Sequence, residues 1–275
     1  MKMFASYLFF LTLVLTSLKF SNSASIPCGV SILDNSTNTD FHHRIHNGTE
    51  ARPYQWPWLA YIDLKLPATL RRTVTSRCTG TIVSPHYILT AAHCLQGIKD
   101  TQKQKVIVGS VDITSSEAKS VGVKRIVFHK QWDLQTISND IGLIELSDSL
   151  NYTDSIREVC LSRKIVAEDH LSAQVVSIGW GLTERGKEPN ILQQGSAIIA
   201  EPALCRNEYQ QYNVTQQGDS GGPVLFRSSE SKSWFELGIL SYGSKDSERW
   251  DVYARVSHYC DWIAENSNNE VQCQT

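Results

Sequence analysis

Short apolar runs separated by turn residues dominate the chain from Ile45 onward. Runs of this length and spacing are typical of strands in an all-β barrel or sandwich. The predicted strands are 58–64, 79–83, 87–90, 105–111, 121–128 and 141–146 in a first set, and 174–178, 196–200, 223–226, 235–241 and 252–256 in a second. Two sets of about six strands in the 231 residues from Ile45 onward fit two packed six-stranded antiparallel β-barrels.

The end of the chain follows a different pattern. Residues 257–266 place Tyr259, Trp262 and Ile263 on one face at helical spacing, and Ser257 precedes them as a candidate N-cap. We therefore predict one short C-terminal helix that packs its apolar face against the β-structure.

The N-terminus carries the pattern of a signal peptide. Lys2 supplies a positive charge, residues 4–18 form an almost wholly apolar run of 15 residues, and Ser21, Ser23 and Ala24 offer small residues for cleavage. A transmembrane anchor is the alternative, but this run is shorter than the roughly 20 residues that cross a bilayer. We expect residues 1–23 to be removed and the mature chain to be secreted, with no membrane partner.

Secretion changes how the cysteines and asparagines are interpreted, because disulfides persist outside the cell and Asn-x-Ser/Thr sites can be glycosylated. The candidate glycosylation sites are Asn35, Asn47, Asn151 and Asn213. The chain has seven cysteines, an odd number, so a framework of internal disulfides leaves at least one cysteine over.

The charge balance excludes one class of partner. The chain has 26 basic and 28 acidic residues, a net charge of −2, whereas nucleic-acid binding needs a concentrated basic face. The His42–His43 pair lies in a polar stretch without a nearby third ligand, so we predict neither a metal site nor another cofactor.

Three segments carry residues with catalytic chemistry. His93 follows the apolar strand that ends at Thr90, Asp140 immediately precedes an apolar strand where it would become buried, and Ser220 lies in the glycine-rich turn 218–223. Each segment alone also fits a purely structural role, as a core histidine, a surface aspartate or an ordinary turn. The three together, in this order, are far more specific.

These segments resemble those of the trypsin/chymotrypsin-like serine proteases, and the resemblance extends over residues 44–263. Further similar stretches lie, in the family's order, at 53–58, 179–181, 241–243 and 252–256. The resemblance implies a secreted serine endopeptidase acting on proteins or peptides. His93 would be the general base, Asp140 would orient it, Ser220 would form the acyl-enzyme, and the backbone N–H groups of Gly218 and Ser220 would form the oxyanion hole.

The resemblance also implies activation by cleavage. An activating protease would cut between Arg44 and Ile45, and the new amine of Ile45 would pair with Asp219 beside the nucleophile. Residues 24–44 would then be a propeptide and residues 45–275 the peptidase domain, which protease inhibitors would also recognise. The candidate glycan at Asn47 lies close to the inserting end, where it would impede activation.

Family disulfides account for most of the cysteines. The resemblance implies a Cys78–Cys94 bridge beside His93 and a Cys28–Cys160 bridge that tethers the propeptide. Cys260 and Cys273 are paired here as the remaining cysteines of the C-terminal segment, a pairing that the family pattern does not dictate. Val175 and Phe226 stand where the family has another bridge, which predicts an apolar replacement of it.

Cys205 is left without a partner. The chain has about thirteen fewer residues between Asp140 and Ser220 than the family pattern, and the loss is best placed between Cys205 and Gly218. The sequence is compatible with a genuinely shortened variant and with an incomplete splice product or gene model.

The shortened segment affects the substrate pocket. Val214 stands at the position of the pocket floor, which favours apolar or small side chains, whereas Asp251 at the back of the pocket would attract basic ones. By resemblance, Ser241, Tyr242 and Gly243 would line the substrate groove. A catalytically impaired homologue that acts as a binding or regulatory protein is the alternative function.

Overall fold

The computed structural model describes residues 27–34, 48–66, 75–181, 188–200, 220–243 and 251–275, and all structural statements below concern these ranges. Two six-stranded antiparallel sheets make up the fold, as the apolar runs predict. Among the helices of these ranges, none has the length and apolar character needed to cross a membrane.

The first sheet closes into a barrel with the strand order β2-β3-β4-β7-β6-β5. Its strands are β2 (Leu59–Lys65), β3 (Thr75–Ile82), β4 (Tyr87–Thr90), β5 (Lys105–Val108), β6 (Lys119–Phe128) and β7 (Gly142–Leu146). The ring closes where β2 pairs with β5, with Ile62 opposite Val106. Both of these side chains are fully buried, so closure of the barrel also fills its interior.

The second sheet has the order β1-β9-β8-β10-β11-β12. Its strands are β1 (Thr49–Glu50), β8 (Gln174–Gly179), β9 (Gln193–Ile198), β10 (Pro223–Arg227), β11 (Trp234–Tyr242) and β12 (Val252–Arg255). Within the described ranges no pairing joins the outer strands β1 and β12. The two-residue strand β1 was missed by the sequence pattern, and β9 begins three residues earlier than predicted.

Buried tryptophans help to join the two sheets. Trp56 meets Trp58 edge-on at 5.8 Å between ring centroids and Trp234 of β11 at 4.8 Å. One continuous apolar core includes all three rings and extends into both sheets. Edge-to-face pairs add roughly 0.5–1.5 kcal/mol each beyond the burial of their area.

A smaller apolar cluster contains the two residues that replace the family disulfide. Val175 is buried with Val224 and Leu237, and Phe226 packs against the same group. Val175 and Phe226 therefore belong to one apolar cluster, as expected if apolar packing replaces the family disulfide.

The C-terminal helix is shorter than predicted. A 3₁₀ turn spans Val256–Tyr259, and the α-helix begins only at Cys260 and ends at Asn266. The prediction of Ser257 as the N-cap was wrong, because Tyr259 occupies that position without a side-chain cap. The Ser257 hydroxyl is buried and has no hydrogen bond to any described residue. The Cys260–Cys273 disulfide folds the tail back onto this helix.

Part of the N-terminal extension, residues 27–34, is docked on the second sheet. The Cys28–Cys160 disulfide anchors it, and the Trp234 indole N–H donates to Asp34 Oδ1 at 2.9 Å. Main-chain bonds join Gly29 to Glu158 and Trp234 at 2.9 and 2.8 Å. The described part of the extension is therefore held by covalent, side-chain and main-chain contacts.

Candidate active site

His93 lies on a one-turn helix, Ala92–Leu95, directly after β4. The neighbouring Cys94 forms a disulfide with Cys78 of β3, which fastens the helix to the barrel wall. Only 7% of the His93 side chain is exposed. The strand end and the disulfide together fix the position of the imidazole ring.

Asp140 is almost completely buried and faces His93. Its Oδ1 accepts the backbone N–H of His93 at 2.9 Å, and its Oδ2 lies 2.7 Å from His93 Nδ1. A third donor, the Ser241 hydroxyl of β11, reaches Oδ2 at 2.5 Å. A carboxylate oxygen only accepts hydrogen bonds, so His93 Nδ1 must be the donor to Asp140. The proton of the neutral ring therefore lies on Nδ1, and Nε2 remains free to accept a proton.

The turn before Asp140 explains how the carboxylate points inward. Asn139 has a φ of +59°, and the Ile141 N–H donates back to the Asn139 carbonyl at 2.9 Å. The Asn139 side chain bonds the Gln131 carbonyl at 3.0 Å and accepts from the Tyr259 hydroxyl at 3.3 Å. Burial raises the pKa of Tyr259, and the nearby Asp140 carboxylate raises it further.

Ser220 lies on a tight turn between the two sheets. Its carbonyl accepts the Thr79 N–H of β3 at 3.0 Å, and the next residue, Gly221, donates to the Leu240 carbonyl of β11 at 2.9 Å. Gly221 has a φ of +78°, and an added Cβ would overlap the Thr90 hydroxyl. This position therefore requires glycine for both conformation and space.

The structure joins His93 to Asp140 by hydrogen bonds, but it does not join His93 to Ser220 in this way. Although both side chains lie in the described part of the chain, no hydrogen bond joins Ser220 Oγ to His93 Nε2. That nitrogen instead lies 3.6 Å from Cys94 Sγ. Catalytic hydrogen bonds are often formed only when substrate is bound.

The predicted substrate groove is described in part. Tyr242 at the end of β11 pairs with Val252 of β12, which brings Gly243 and Asp251 together. A Cβ added to Gly243 would overlap the Asp251 carboxylate, so the acidic group lies directly against the glycine backbone. The Ser241 hydroxyl, in contrast, donates to Asp140. In the sequence, only the position of Ser241 in the Ser-Tyr-Gly stretch pointed to a role near the site.

One cluster has the composition of a metal site without its chemistry. Ligand atoms of Cys78, His93 and Cys94 lie within 4.8 Å of one another. The two sulfurs are joined in a disulfide and therefore offer no thiolate to a metal ion.

Several predicted residues lie outside the described ranges. They are Asn35, Arg44, Ile45, Asn47, Cys205, Asn213, Val214, Gly218 and Asp219, together with the signal peptide 1–23. Of the four candidate glycosylation sites, Asn151 is described and lies exposed on a surface loop, where a glycan would have space.

Comparison with known proteins agrees with this fold. The family model for trypsin matches residues 45–263, and the chain therefore belongs to the trypsin family of serine proteases.

Individual relatives are 30–32% identical to this chain over the aligned residues. Transmembrane protease serine 11C of Mus musculus is 32% identical over 273 residues, which cover 90% of this chain and 60% of the relative. Coagulation factor XI of Bos taurus is 30% identical over 86% of this chain and 40% of its own length. Chymotrypsin-C of Bos taurus is 31% identical, with 92% of this chain and 97% of its own length covered.

Proposed function

We propose that this chain is a secreted serine endopeptidase, made as a zymogen, that hydrolyses peptide bonds through His93, Asp140 and Ser220. The observation that carries the proposal is the buried Asp140 carboxylate, which accepts bonds from the His93 ring, the His93 backbone and the Ser241 hydroxyl. Such a network holds the neutral His93 ring in one tautomer, and it stabilises the imidazolium that forms when the ring takes up a proton.

In the proposed reaction, Ser220 Oγ attacks the substrate carbonyl carbon while His93 Nε2 takes the hydroxyl proton. Asp140 stabilises the resulting imidazolium and stays ionised. His93 then gives the proton to the leaving amine, and the peptide bond breaks to leave an ester on Ser220. Water, deprotonated by His93, hydrolyses this ester and regenerates the serine. Backbone N–H groups of Gly218 and Ser220 would stabilise the negative oxygen of each tetrahedral intermediate.

Substrate choice in this proposal depends on charge near the groove. The Asp251 carboxylate beside Gly243 supports binding of a basic side chain. Val214, as a pocket floor, would instead favour apolar side chains. The balance between the two decides the cleavage preference.

Activation by cleavage after Arg44 would leave the extension attached. The docked residues 27–34 and the Cys28–Cys160 disulfide support a propeptide that stays on the peptidase domain after the cut. An activated sample should therefore show one chain on a non-reducing gel and two on a reducing gel. Release without reduction would contradict the tether.

The proposal of secretion is supported by the apolar run 4–18 and by three disulfides, which persist in oxidising compartments. Expression of the full chain in animal cells tests it. We expect the protein in the medium with residue 24 or a near neighbour at its N-terminus. Retention in the membrane fraction with residues 4–18 intact would indicate an anchor.

The activity is tested with a fluorophosphonate probe, which labels activated serine nucleophiles. The secreted chain is cut after Arg44 with an immobilised protease, which is removed before the probe is added. We expect labelling of the wild type and none of Ser220→Ala, the matched control.

An unlabelled wild type would favour the alternative, an impaired homologue that acts by binding. The features that favour this second function are the segment before Ser220, which is about thirteen residues shorter than the family pattern, and Cys205, which has lost its family partner.

A further inference from the structure

We propose that Thr79 is a positioning residue that holds the Ser220 turn in register with His93 across the two sheets. The inference rests on the proposed peptidase function. Thr79 is 1% exposed and lies in β3, next to Cys78, whose disulfide partner Cys94 adjoins His93. It has no contact with substrate in this mechanism, so it would act only through its neighbours.

The backbone of Thr79 connects the two catalytic segments. Its N–H donates to the Ser220 carbonyl at 3.0 Å, and its carbonyl accepts the Thr90 hydroxyl at 2.9 Å. Thr90 ends the strand that leads to His93. One peptide segment therefore contacts the nucleophile turn on one side and the histidine segment on the other.

The side chain of Thr79 extends this connection to the second sheet. Its hydroxyl accepts the backbone N–H of Trp180, just after β8, at 3.2 Å. Trp180 is itself fixed, because its indole N–H donates to the Val111 carbonyl at 3.1 Å. Its ring also meets Tyr61, the β2 partner of Thr79, edge-on at 5.7 Å.

Packing around Gly221 leaves no room for these groups to shift independently. A Cβ on Gly221 would overlap Thr90 Oγ1, would lie 2.6 Å from the Thr79 carbonyl oxygen, and would be 3.1 Å from Cys94 Sγ. The turn after Ser220 is thus in close contact with Thr79, Thr90 and the disulfide beside His93. A movement of Thr79 would displace the serine turn relative to the histidine.

This relation matters because proton transfer from Ser220 to His93 requires about 2.6–3.2 Å between the two atoms. His93 belongs to the first barrel, whereas the Ser220 turn leads into β10 of the second sheet. The distance between them is therefore set by the junction of the sheets. Loss of the Thr79 hydroxyl would remove the acceptor of the Trp180 N–H at this junction without removing any substrate contact.

Thr79→Val tests the inference, since valine keeps the shape of threonine and the backbone bonds but lacks the hydroxyl. We expect kcat on p-nitrophenyl acetate, per folded molecule, to fall by about tenfold or more, with KM unchanged. The fluorophosphonate labelling rate should fall in parallel. Thr79→Ser, which keeps the hydroxyl, should restore both rates.

Thr81→Val is the matched control. Thr81 lies two residues further along the same strand, is fully buried, and has a hydroxyl without a hydrogen bond in the described structure. The Thr81→Val variant should retain the wild-type kcat. If Thr79→Val fails to fold, Thr90→Val provides a second test, because it removes the bond to the Thr79 carbonyl and should also lower kcat at constant KM.

The outcomes separate the inference from the proposed function. An unlabelled wild type overturns both. A labelled wild type with equal rates for Thr79→Val, or an equal loss in Thr79→Val and Thr81→Val, overturns the inference alone. A loss confined to Thr79→Val and Thr90→Val, with rescue by Thr79→Ser, supports it.

Discussion

Asp140 binds His93 twice, through the ring nitrogen at 2.7 Å and through the backbone amide at 2.9 Å. The double contact fixes both the orientation of the imidazole ring and the position of the helix that carries it. Since the carboxylate is only 1% exposed, water does not compete for these bonds.

Replacement of Asp140 by asparagine should therefore abolish most of the proposed activity. The amide can donate to Nδ1, which favours the wrong tautomer and leaves Nε2 protonated. We expect kcat to fall by about ten-thousandfold, because a histidine in the wrong tautomer cannot accept the serine proton. Circular dichroism would verify folding. Wild-type activity in this variant would contradict the assigned role.

Ser241→Ala removes one of the three donors to Asp140 and leaves both bonds to His93. We expect a smaller loss, about 10- to 150-fold in kcat, because one hydrogen bond to a charged group contributes roughly 1.5–3 kcal/mol. Steady-state kinetics would measure kcat for Ser241→Ala, and for Asp140→Asn in the same assay. A loss as large as that of Asp140→Asn would mean that Ser241 has a further role.

The buried carboxyl of Glu236 should make the free energy of unfolding depend on pH. The residue is 2% exposed in β11, and neither carboxyl oxygen has a hydrogen-bond partner in the described structure. Burial raises the pKa of Glu236 to about 8, and the Thr81 hydroxyl, beside the carboxyl but outside hydrogen-bonding geometry, opposes this shift more weakly. The folded protein thus keeps a proton that the unfolded chain loses above pH 4.5.

Between pH 4.5 and 8 the unfolded state binds fewer protons, so the free energy of unfolding falls as the pH rises. Glu236→Gln should remove this loss and stabilise the protein by about 4 kcal/mol at pH 8, with little change near pH 4.5. Urea unfolding at several pH values measures it. The exposed Glu230→Gln is the control, and equal effects of both variants would contradict the prediction.

The Cys260–Cys273 disulfide should contribute to stability more than to activity. It closes a loop with a sequence separation of 13 at the C-terminal helix. Replacement of both cysteines by alanine should lower the free energy of unfolding by about 3 kcal/mol, mainly because the unfolded chain gains freedom. Thermal unfolding and probe labelling would be compared at a temperature where both proteins are folded. A large loss of labelling there would contradict this separation.

Asp251→Gly tests the proposed substrate preference. Removal of the carboxylate beside Gly243 should lower cleavage after lysine and arginine relative to cleavage after apolar residues. A positional peptide library gives the ratio for the wild type and the variant. Glu230→Gln, an exposed charge change, is the control. An unchanged ratio would assign the preference to another part of the pocket.

The strands were predictable where burial follows the local pattern. Tyr87–Thr90 was predicted with its observed bounds, because four consecutive buried residues mark it. The start of β9 was missed because Gln193 and Gln194 are polar. Gln194 is nevertheless accommodated in the sheet, since its side-chain oxygen accepts the Trp56 indole N–H at 2.6 Å. Contacts of that kind depend on residues far away in the chain.

The sequence by itself determined the strand pattern, the segments that carry His93, Asp140 and Ser220, and the cysteines available for pairing. These features are local, because alternation and turn chemistry act over a few residues. Only the tertiary structure decided that Ser241 binds Asp140, 101 residues away, and that Thr79 joins Ser220 to Trp180. The tertiary structure also decided that Glu236 is buried without a hydrogen bond to any described residue. Such contacts are created by barrel closure and sheet packing, which bring distant side chains together in ways that local periodicity does not specify.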